Sequence, residues 1–129
     1  MAAKEIDTTR LLCTLAELEP TGCREFRLGG GEWPVKGFVV AVPGGACAYV
    51  NRCAHVAYPL NHLPDRFLSH DGAVIQCGMH GALFEKATGH CIAGPCAGQA
   101  LISLPVEIVG GYVLLGGNEE PAELAARYA

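Results

Sequence analysis

The sequence predicts an all-β fold, a small antiparallel β-sandwich or barrel that ends in a short C-terminal helix. Short apolar or alternating runs recur along the 129 residues, and turn signals rich in Gly and Pro separate them at close intervals. The chain has 17 Gly and 8 Pro but few aromatic residues, which is typical of tight turns between short strands. This length is enough for one domain with a substantial core and too short for two ordinary domains.

Four strands are expected in the first half of the chain, at residues 11–18, 23–28, 35–42 and 46–51. The turns between the last three are GGGEWP at 29–34 and PGG at 43–45, and the second is expected to close a hairpin. Trp33 and Tyr49 are interpreted as packing residues.

Four further strands are expected in the second half, at residues 73–77, 82–86, 100–109 and 112–115. Pro105 interrupts the longest of these runs and indicates an edge strand or a bulge, because proline cannot donate to a central ladder. Only the tail, at about 119–128, has a helical pattern. Asn118 can cap this helix, acidic residues follow, and Pro121 falls in its first turn.

Charge and hydropathy exclude several classes of partner. The net charge of −4 argues against nucleic-acid binding, which usually needs a basic face, and weakly favours a partner with a positive docking patch. The longest apolar stretch, FVVAV at 38–42, is far shorter than a membrane helix, so no membrane association is expected. The N-terminal residues contain no apolar segment of a secretory signal. A cytoplasmic protein is therefore expected.

The chain contains seven cysteines, an odd and unusually high number. In a secreted protein this count would suggest a disulfide framework with one thiol left over. In the cytosol most of the thiols would stay reduced. Cys13, Cys23 and Cys47 alternate within strand-like runs, so they are expected to be buried apolar residues.

Four residues have the spacing of metal ligands: Cys53-x-His55 and, after 21 residues, Cys77-x-x-His80. Two thiolates and two imidazoles suit either zinc or an iron–sulfur cluster. Zinc fingers usually pair Cys with Cys and His with His, whereas here each loop supplies one of each. A pair of irons, one ligated by both thiolates and the other by both imidazoles, is the ligand arrangement of a Rieske centre.

His62, His70 and His90 could be rival ligands for a metal. Each of them lies in a polar, turn-rich stretch. They are therefore interpreted as ordinary surface or turn histidines.

The motifs around the four ligands resemble the Rieske ferredoxin pattern over residues 36–115. The matching segments are NRCAH (51–55), Pro59–Leu60, CGMHGALFE (77–85), Thr88–Gly89 and GPCAG (94–98). In that family the first loop reads C-x-H-x-x-x-P-L, and the second reads C-x-x-H-G-x-x-F/Y before a Thr-Gly turn and a Pro loop. The spacer between the two motifs is several residues longer here, with the excess in NHLPDRFLSHDG at 61–72.

The resemblance implies a single Rieske domain over residues 1–129 with one 2Fe–2S cluster. Its cluster-binding loops are expected at about 51–63 and 77–98, with Cys53, His55, Cys77 and His80 as ligands. The implied function is that of a one-electron carrier, with no catalytic residues of its own. It would pass electrons from a flavin-type reductase to a terminal oxygenase or a similar redox protein.

The ligand set and its surroundings predict a potential toward the low end of the Rieske range. Two thiolates leave the oxidised cluster neutral, and Rieske potentials lie at about −150 to +300 mV against about −400 mV for plant-type ferredoxins. High-potential relatives carry two further cysteines in these loops and Ser and Tyr hydroxyls that bond to sulfur. The matching positions here are Ala57, Met79, Ala82 and Phe84.

Cys91 and Cys96 leave two alternatives open. The resemblance places Cys96 in the Pro loop that covers the cluster, where a cysteine with a free thiol is expected. A Cys91–Cys96 disulfide is the less favoured alternative.

Three other functions stay open beside the electron carrier. The chain could be a fragment of a Rieske oxygenase, although no second domain of some two hundred residues follows Leu115. It could be a structural zinc or interaction module. It could also be the small subunit of a nitrite reductase, but those subunits often lack the ligands.

Overall fold

The strands in the described part of the chain form three antiparallel sheets. The computed structural model describes residues 8–19, 21–29, 34–51, 67–69, 72–77, 81–94, 98–117 and 120–128. Within them a 3-10 turn at Thr8–Arg10 precedes ten strands: β1 (Leu11–Thr14), β2 (Cys23–Leu28), β3 (Val35–Val42), β4 (Gly45–Val50), β5 (Ile75–Gln76), β6 (Leu83–Phe84), β7 (Cys91–Ala93), β8 (Ser103–Leu104), β9 (Val106–Val109) and β10 (Tyr112–Leu115). The two helices are α1 (Leu15–Leu18) and α2 (Pro121–Tyr128). The predicted all-β class is confirmed.

The strands are hydrogen-bonded in the orders β1-β10-β9, β2-β3-β4-β8 and β5-β6-β7. Every pairing is antiparallel, from the long β2–β3 and β3–β4 ladders to the two-residue β5–β6 pair. The first two sheets form the body of the protein. The third sheet is small, and Cys77 follows its first strand directly.

The predicted hairpin at 43–45 joins β3 to β4. Val42 pairs with Gly45, so Pro43 and Gly44 form the connection between the strands. Gly44 has a φ of +81°, and an added Cβ would meet nothing within 4 Å. Its backbone conformation, not a lack of space, therefore requires glycine at this turn.

Pro105 lies where the chain passes from one sheet to another. β8 ends at Leu104 and pairs with β4, whereas β9 begins at Val106 and pairs with β10. Both strands are outermost in their sheets, in agreement with the predicted edge position. The predicted single run at 100–109 is thus two short strands, because proline has no N–H with which to continue a ladder.

The predicted strand at 11–18 is wrong after Thr14, where the short helix α1 begins. The Thr14 hydroxyl accepts from the Glu17 backbone N–H at 3.2 Å, and the Thr14 N–H donates to Glu17 Oε1 at 2.9 Å. This capping box provides acceptors for two backbone N–H groups at the start of the helix. The T-x-x-E pattern was the sequence signal for it.

The buried side chains form two clusters on opposite faces of the central strand β3. Val35 and Val39 belong to one cluster, with side chains of the β1-β10-β9 sheet and with Leu124 of α2. Phe38 and Val40 belong to the other, with side chains around Cys77. Successive strand residues face opposite sides of a sheet, so a run such as FVVAV is buried on both faces.

The C-terminal helix α2 packs against β2 and β3 through the buried Leu124. It begins at Pro121, so Glu120 precedes its first residue and Pro121 lies in the first turn, as predicted. Asn118, the predicted cap, and Trp33 lie outside the described residues. Neither helix in the described part is long and apolar enough to cross a membrane.

Candidate metal centre

Cys77 is the one predicted ligand within the described residues. Cys53, His55 and His80 lie outside them. Cys77 follows β5 directly and is 0% exposed, and its backbone N–H donates to the Ala82 carbonyl at 2.8 Å. Its sulfur therefore belongs to the protein interior at the end of a strand, where neighbouring side chains restrict its position.

The chain turns back sharply after Cys77. The Gly81 N–H donates to the Cys77 carbonyl at 3.0 Å, which closes a turn around residues 78–80. Gly81 has a φ of +70°, and an added Cβ would meet nothing within 4 Å. The motif therefore has glycine at position 81 because the turn ends in a left-handed backbone conformation, which favours glycine.

The small sheet supports this turn on both sides. Ile75 pairs with Phe84 in the β5–β6 ladder, and Phe84 pairs with Cys91 across β6 and β7. Ile75 and Phe84 are fully buried in the cluster that contains Cys77. The strand before the turn and the strand after it are therefore held together. β7 was not predicted from the sequence, and its three residues fall within the predicted second loop.

The spacer between the two motifs contributes a core residue. Phe67 is fully buried and stacks on Phe38 of β3, with ring centroids 4.2 Å apart and planes inclined by 10°. The Phe67 carbonyl also accepts from the Gln76 N–H at 2.9 Å, just before Cys77. At Phe67 the longer spacer therefore packs against the central sheet. Residues 61–66, 70 and 71 lie outside the described part.

Tyr49 joins the central sheet to the Thr88–Gly89 turn. Its hydroxyl donates to the Lys86 carbonyl at 2.7 Å, and its ring approaches Gly89 so closely that an added Cβ would lie 2.7 Å from Tyr49 Cε1. Burial, and then the neighbouring Cys47, raise the pKa of Tyr49, so its phenol stays protonated as the donor. Gly89 is therefore required both by this contact and by its φ of +75°.

The start of the Pro loop lies against the residue that follows Gly81. Gly94 has a φ of +98°, and an added Cβ would lie 2.9 Å from Ala82 Cα. The chain before Pro95 thus packs backbone against backbone on the second ligand loop. Only glycine permits this close approach.

The state of the cysteines corrects one expectation. Cys91 is disulfide-bonded, whereas Cys96, where a free thiol was expected, lies outside the described residues. Cys13, Cys23, Cys47 and Cys77 carry thiols. Cys13 and Cys23 are buried as expected, whereas Cys47 is only partly buried. Burial, with a smaller contribution from Glu17, raises the pKa of Cys13 to about 11.

The rival histidines can be compared with the structure at one position. His90 is exposed, which agrees with its interpretation as a surface residue, and His62 and His70 lie outside the described part. Within the described residues no group of three or more His, Cys, Asp or Glu side chains could hold a metal. Those residues therefore contain no rival to the predicted ligand set.

The chain belongs to the Rieske [2Fe-2S] domain family, whose model matches residues 9–109. It therefore carries one 2Fe–2S cluster and has the electron-carrier role of that family. The described residues fit such a group, because Cys77 places a soft sulfur donor in the interior at the expected motif position. No curated protein sequence matches the chain.

Solved structures of three kinds resemble this fold. The ferredoxin of Sphingomonas yanoikuyae B1 is 28% identical, with a TM-score of 0.62 over 84% of this chain and 97% of that chain. A chain from a complex of reduced oxygenase and oxidized ferredoxin in carbazole 1,9a-dioxygenase is 25% identical, with a TM-score of 0.64 over 85% and 94%. The terminal oxygenase of carbazole 1,9a-dioxygenase from Nocardioides aromaticivorans IC177 is 20% identical, with a TM-score of 0.65 over 86% and 31%, and shares the fold.

The contact between Gly94 and Ala82 predicts a specific cost for Gly94→Ala. Gly98→Ala is the matched control, because Gly98 has a similar φ of +89° but nothing within 4 Å of an added Cβ. Both variants should lose about 1–2 kcal/mol of unfolding free energy from the left-handed backbone. Gly94→Ala should lose a further ~1–3 kcal/mol from overpacking and should retain less cluster.

Denaturant unfolding and the visible absorbance per chain measure these two effects. Equal losses in the two glycine variants would show that the Pro loop does not depend on its contact with Ala82.

Proposed function

We propose that the cluster is held by Cys53, His55, Cys77 and His80, within a single Rieske domain at residues 1–129. The loops that carry these ligands extend over about 51–63 and 77–98. The observation that supports this proposal most directly is the buried Cys77, with its carbonyl bonded to the N–H of Gly81. This hydrogen bond joins the two residues that flank the segment 78–80, which contains the proposed ligand His80.

When bound, the cluster accepts and releases one electron at a time. The residues around the site should keep its geometry the same in both oxidation states. The small sheet holds together the strands before and after the turn that begins at Cys77, and Tyr49 and Phe67 connect the surrounding segments to the central sheet. A rigid surround keeps reorganisation small when charge at a site changes.

The donor is proposed to be a flavin-type reductase and the acceptor a terminal oxygenase or a similar redox protein, in the cytoplasm. The 28% identity to a ferredoxin, which the chain covers over 97% of its length, supports a separate carrier. The net charge of −4 suits docking on a positive surface.

A one-electron titration tests the carrier function. Anaerobic protein should be reduced by photoreduced free flavin, which replaces the reductase, with uptake of one electron per chain. After separation from the flavin it should reduce one equivalent of ferricytochrome c. Uptake of electrons without transfer to the acceptor, or no uptake by cluster-loaded protein, would contradict the carrier role.

The ligand assignment predicts different outcomes for histidine variants. His55→Ala or His80→Ala should abolish cluster binding, since each imidazole is one of only two on its iron. His62→Ala, His70→Ala and His90→Ala serve as controls and should keep the visible spectrum of the parent protein. Cluster loss in any of these three controls would show that the assigned ligands are wrong.

The buried positions 82 and 84 predict a rise in potential for Ala82→Ser combined with Phe84→Tyr. Both parent residues are fully buried in the cluster of side chains that contains Cys77. Hydroxyl donors stabilise the reduced state more, because it carries one additional negative charge. A hydrogen bond to a charged group contributes about 1.5–3 kcal/mol.

If about half of this hydrogen-bond free energy is present only in the reduced state, each hydroxyl raises the potential by some tens of millivolts, at about 59 mV per 1.4 kcal/mol. Voltammetry measures the shift. Ala48→Ser is the control, because Ala48 is buried in the other side-chain cluster. An intact centre with an unchanged or lower potential would mean that residues 82 and 84 do not direct their side chains to sulfur.

A further inference from the structure

The end of the spacer between the two motifs lies beside β5, the strand that precedes the second ligand loop. The Gln76 N–H donates to the Phe67 carbonyl at 2.9 Å, and an isolated antiparallel bridge pairs Leu68 with Ile75. The other side of β5 pairs with β6. Residues 67–69 therefore extend the small sheet by one further segment, on the side of β5 that β6 leaves open.

Hydrogen bonds hold both ends of this segment. At its first residue the bond is the one from Gln76 to the Phe67 carbonyl. At its last residue the Ser69 N–H donates to the Val74 carbonyl at 2.8 Å, and the Ser69 hydroxyl accepts from the Val74 N–H at 3.3 Å. The position of the segment relative to β5 is thus set by backbone hydrogen bonds as well as by packing.

Phe67 anchors the segment in the interior of the protein. Its side chain is 0% exposed and stacks on Phe38, with ring centroids 4.2 Å apart and planes inclined by 10°. Phe38 is also fully buried and lies on β3, opposite Glu25 of β2 and Tyr49 of β4. Because strands on both sides hold the backbone of Phe38, its ring is a rigid support for the ring of Phe67.

The chain at Cys77 is held from two sides. On one side the Cys77 N–H donates to the Ala82 carbonyl at 2.8 Å, and on the other the preceding N–H, that of Gln76, donates to the Phe67 carbonyl. The β5–β6 ladder consists of two residue pairs, and so short a pair of strands is marginally stable by itself. The bond to Phe67 therefore supplies a second restraint on the backbone directly before Cys77.

We propose that Phe67 is a positioning residue for the cluster. Its carbonyl restrains the backbone that carries the Cys77 thiolate, and its ring ties that carbonyl to Phe38 and so to the central sheet. The role assigned to Phe67 rests on the proposed function, in which Cys77 is a ligand. Groups that orient a metal ligand from behind affect how firmly the metal is held, although they do not touch it.

Loss of the aromatic stack should loosen the Cys77 end of β5 more than the rest of the protein. Phe67→Leu keeps an apolar side chain at this position but removes the ring that contacts Phe38. A contact between two aromatic rings corresponds to a factor of roughly two to ten in a local equilibrium, so the restraint on β5 should open more often by that factor. A chelator should then remove iron faster by a similar factor.

Phe26→Leu is the matched control for this substitution. Phe26 is also a buried phenylalanine, 7% exposed, but it belongs to the other side-chain cluster, on the opposite face of the central sheet from Phe38. The same loss of buried volume should lower the unfolding free energy of both variants. Only Phe67→Leu should change the surroundings of Cys77.

Three measurements on cluster-loaded protein compare the parent chain with these two variants. Iron loss to a chelator should be roughly two- to tenfold faster for Phe67→Leu and close to the parent rate for Phe26→Leu. The electron paramagnetic resonance lines of the reduced protein should broaden only in Phe67→Leu, because a less restrained thiolate occupies a wider range of positions. Hydrogen exchange of the Gln76 N–H, followed by mass spectrometry, should accelerate only in Phe67→Leu.

Equal iron-loss rates and equal line widths in the two variants would overturn the proposal, because Phe67 would then act through global stability alone. If Phe67→Leu does not fold, hydrogen exchange in the parent protein decides the question. A Gln76 N–H that exchanges there as fast as an unprotected amide would overturn the proposal, and slow exchange would support it.

Two further results would contradict the proposed function instead of the role of Phe67. One is a parent protein without two irons and two labile sulfides per chain, the content of the [2Fe-2S] family. The other is a Cys77→Ala variant that keeps its cluster. A parent protein that has its cluster and loses it in Cys77→Ala, but whose two phenylalanine variants behave alike, would leave the proposed function intact and reject only the positioning role.

Discussion

The burial of β3 on both faces is the constraint on which the arrangement of the protein depends. Val39 faces the cluster that includes the β1-β10-β9 sheet and α2, and Phe38 faces the cluster that includes Cys77. Side chains alternate strictly along a strand, so a shift of one residue in the β2–β3 or β3–β4 register would exchange the two sets. The ligand-bearing part of the chain is therefore positioned by the same register that builds the main core.

Two aromatic side chains extend this constraint to the loops of the site. Phe38 stacks on Phe67 of the spacer and contacts Tyr49 at a centroid distance of 5.8 Å, and Tyr49 bonds to the Lys86 carbonyl. The spacer and the Thr88–Gly89 turn thus share one aromatic support. Full burial of such a ring stabilises the fold by about 1.5–3 kcal/mol, which is substantial for segments with so few strand hydrogen bonds.

The parts of the fold that sequence could predict are those with strong local patterns. β2 and β3 have the predicted bounds, because their apolar runs end at Gly and Pro turns. β7 has only three residues and gives no periodic pattern, and the stacking of Phe67 depends on a contact between residues far apart in the chain. The disulfide at Cys91 could not be predicted either, since spacing alone does not distinguish a thiol from a bridge.

For the ligand set the sequence is more informative than the structure. The spacing of the two motifs is specific, whereas three of the four predicted ligands lie outside the described residues. The most direct test of the central claim is the composition and electron paramagnetic resonance of the purified protein. The protein should contain two irons and two acid-labile sulfides per chain, in keeping with the [2Fe-2S] family. After reduction with dithionite, the signal should have an average g below the free-electron value. Stoichiometric zinc without labile sulfide would contradict the account.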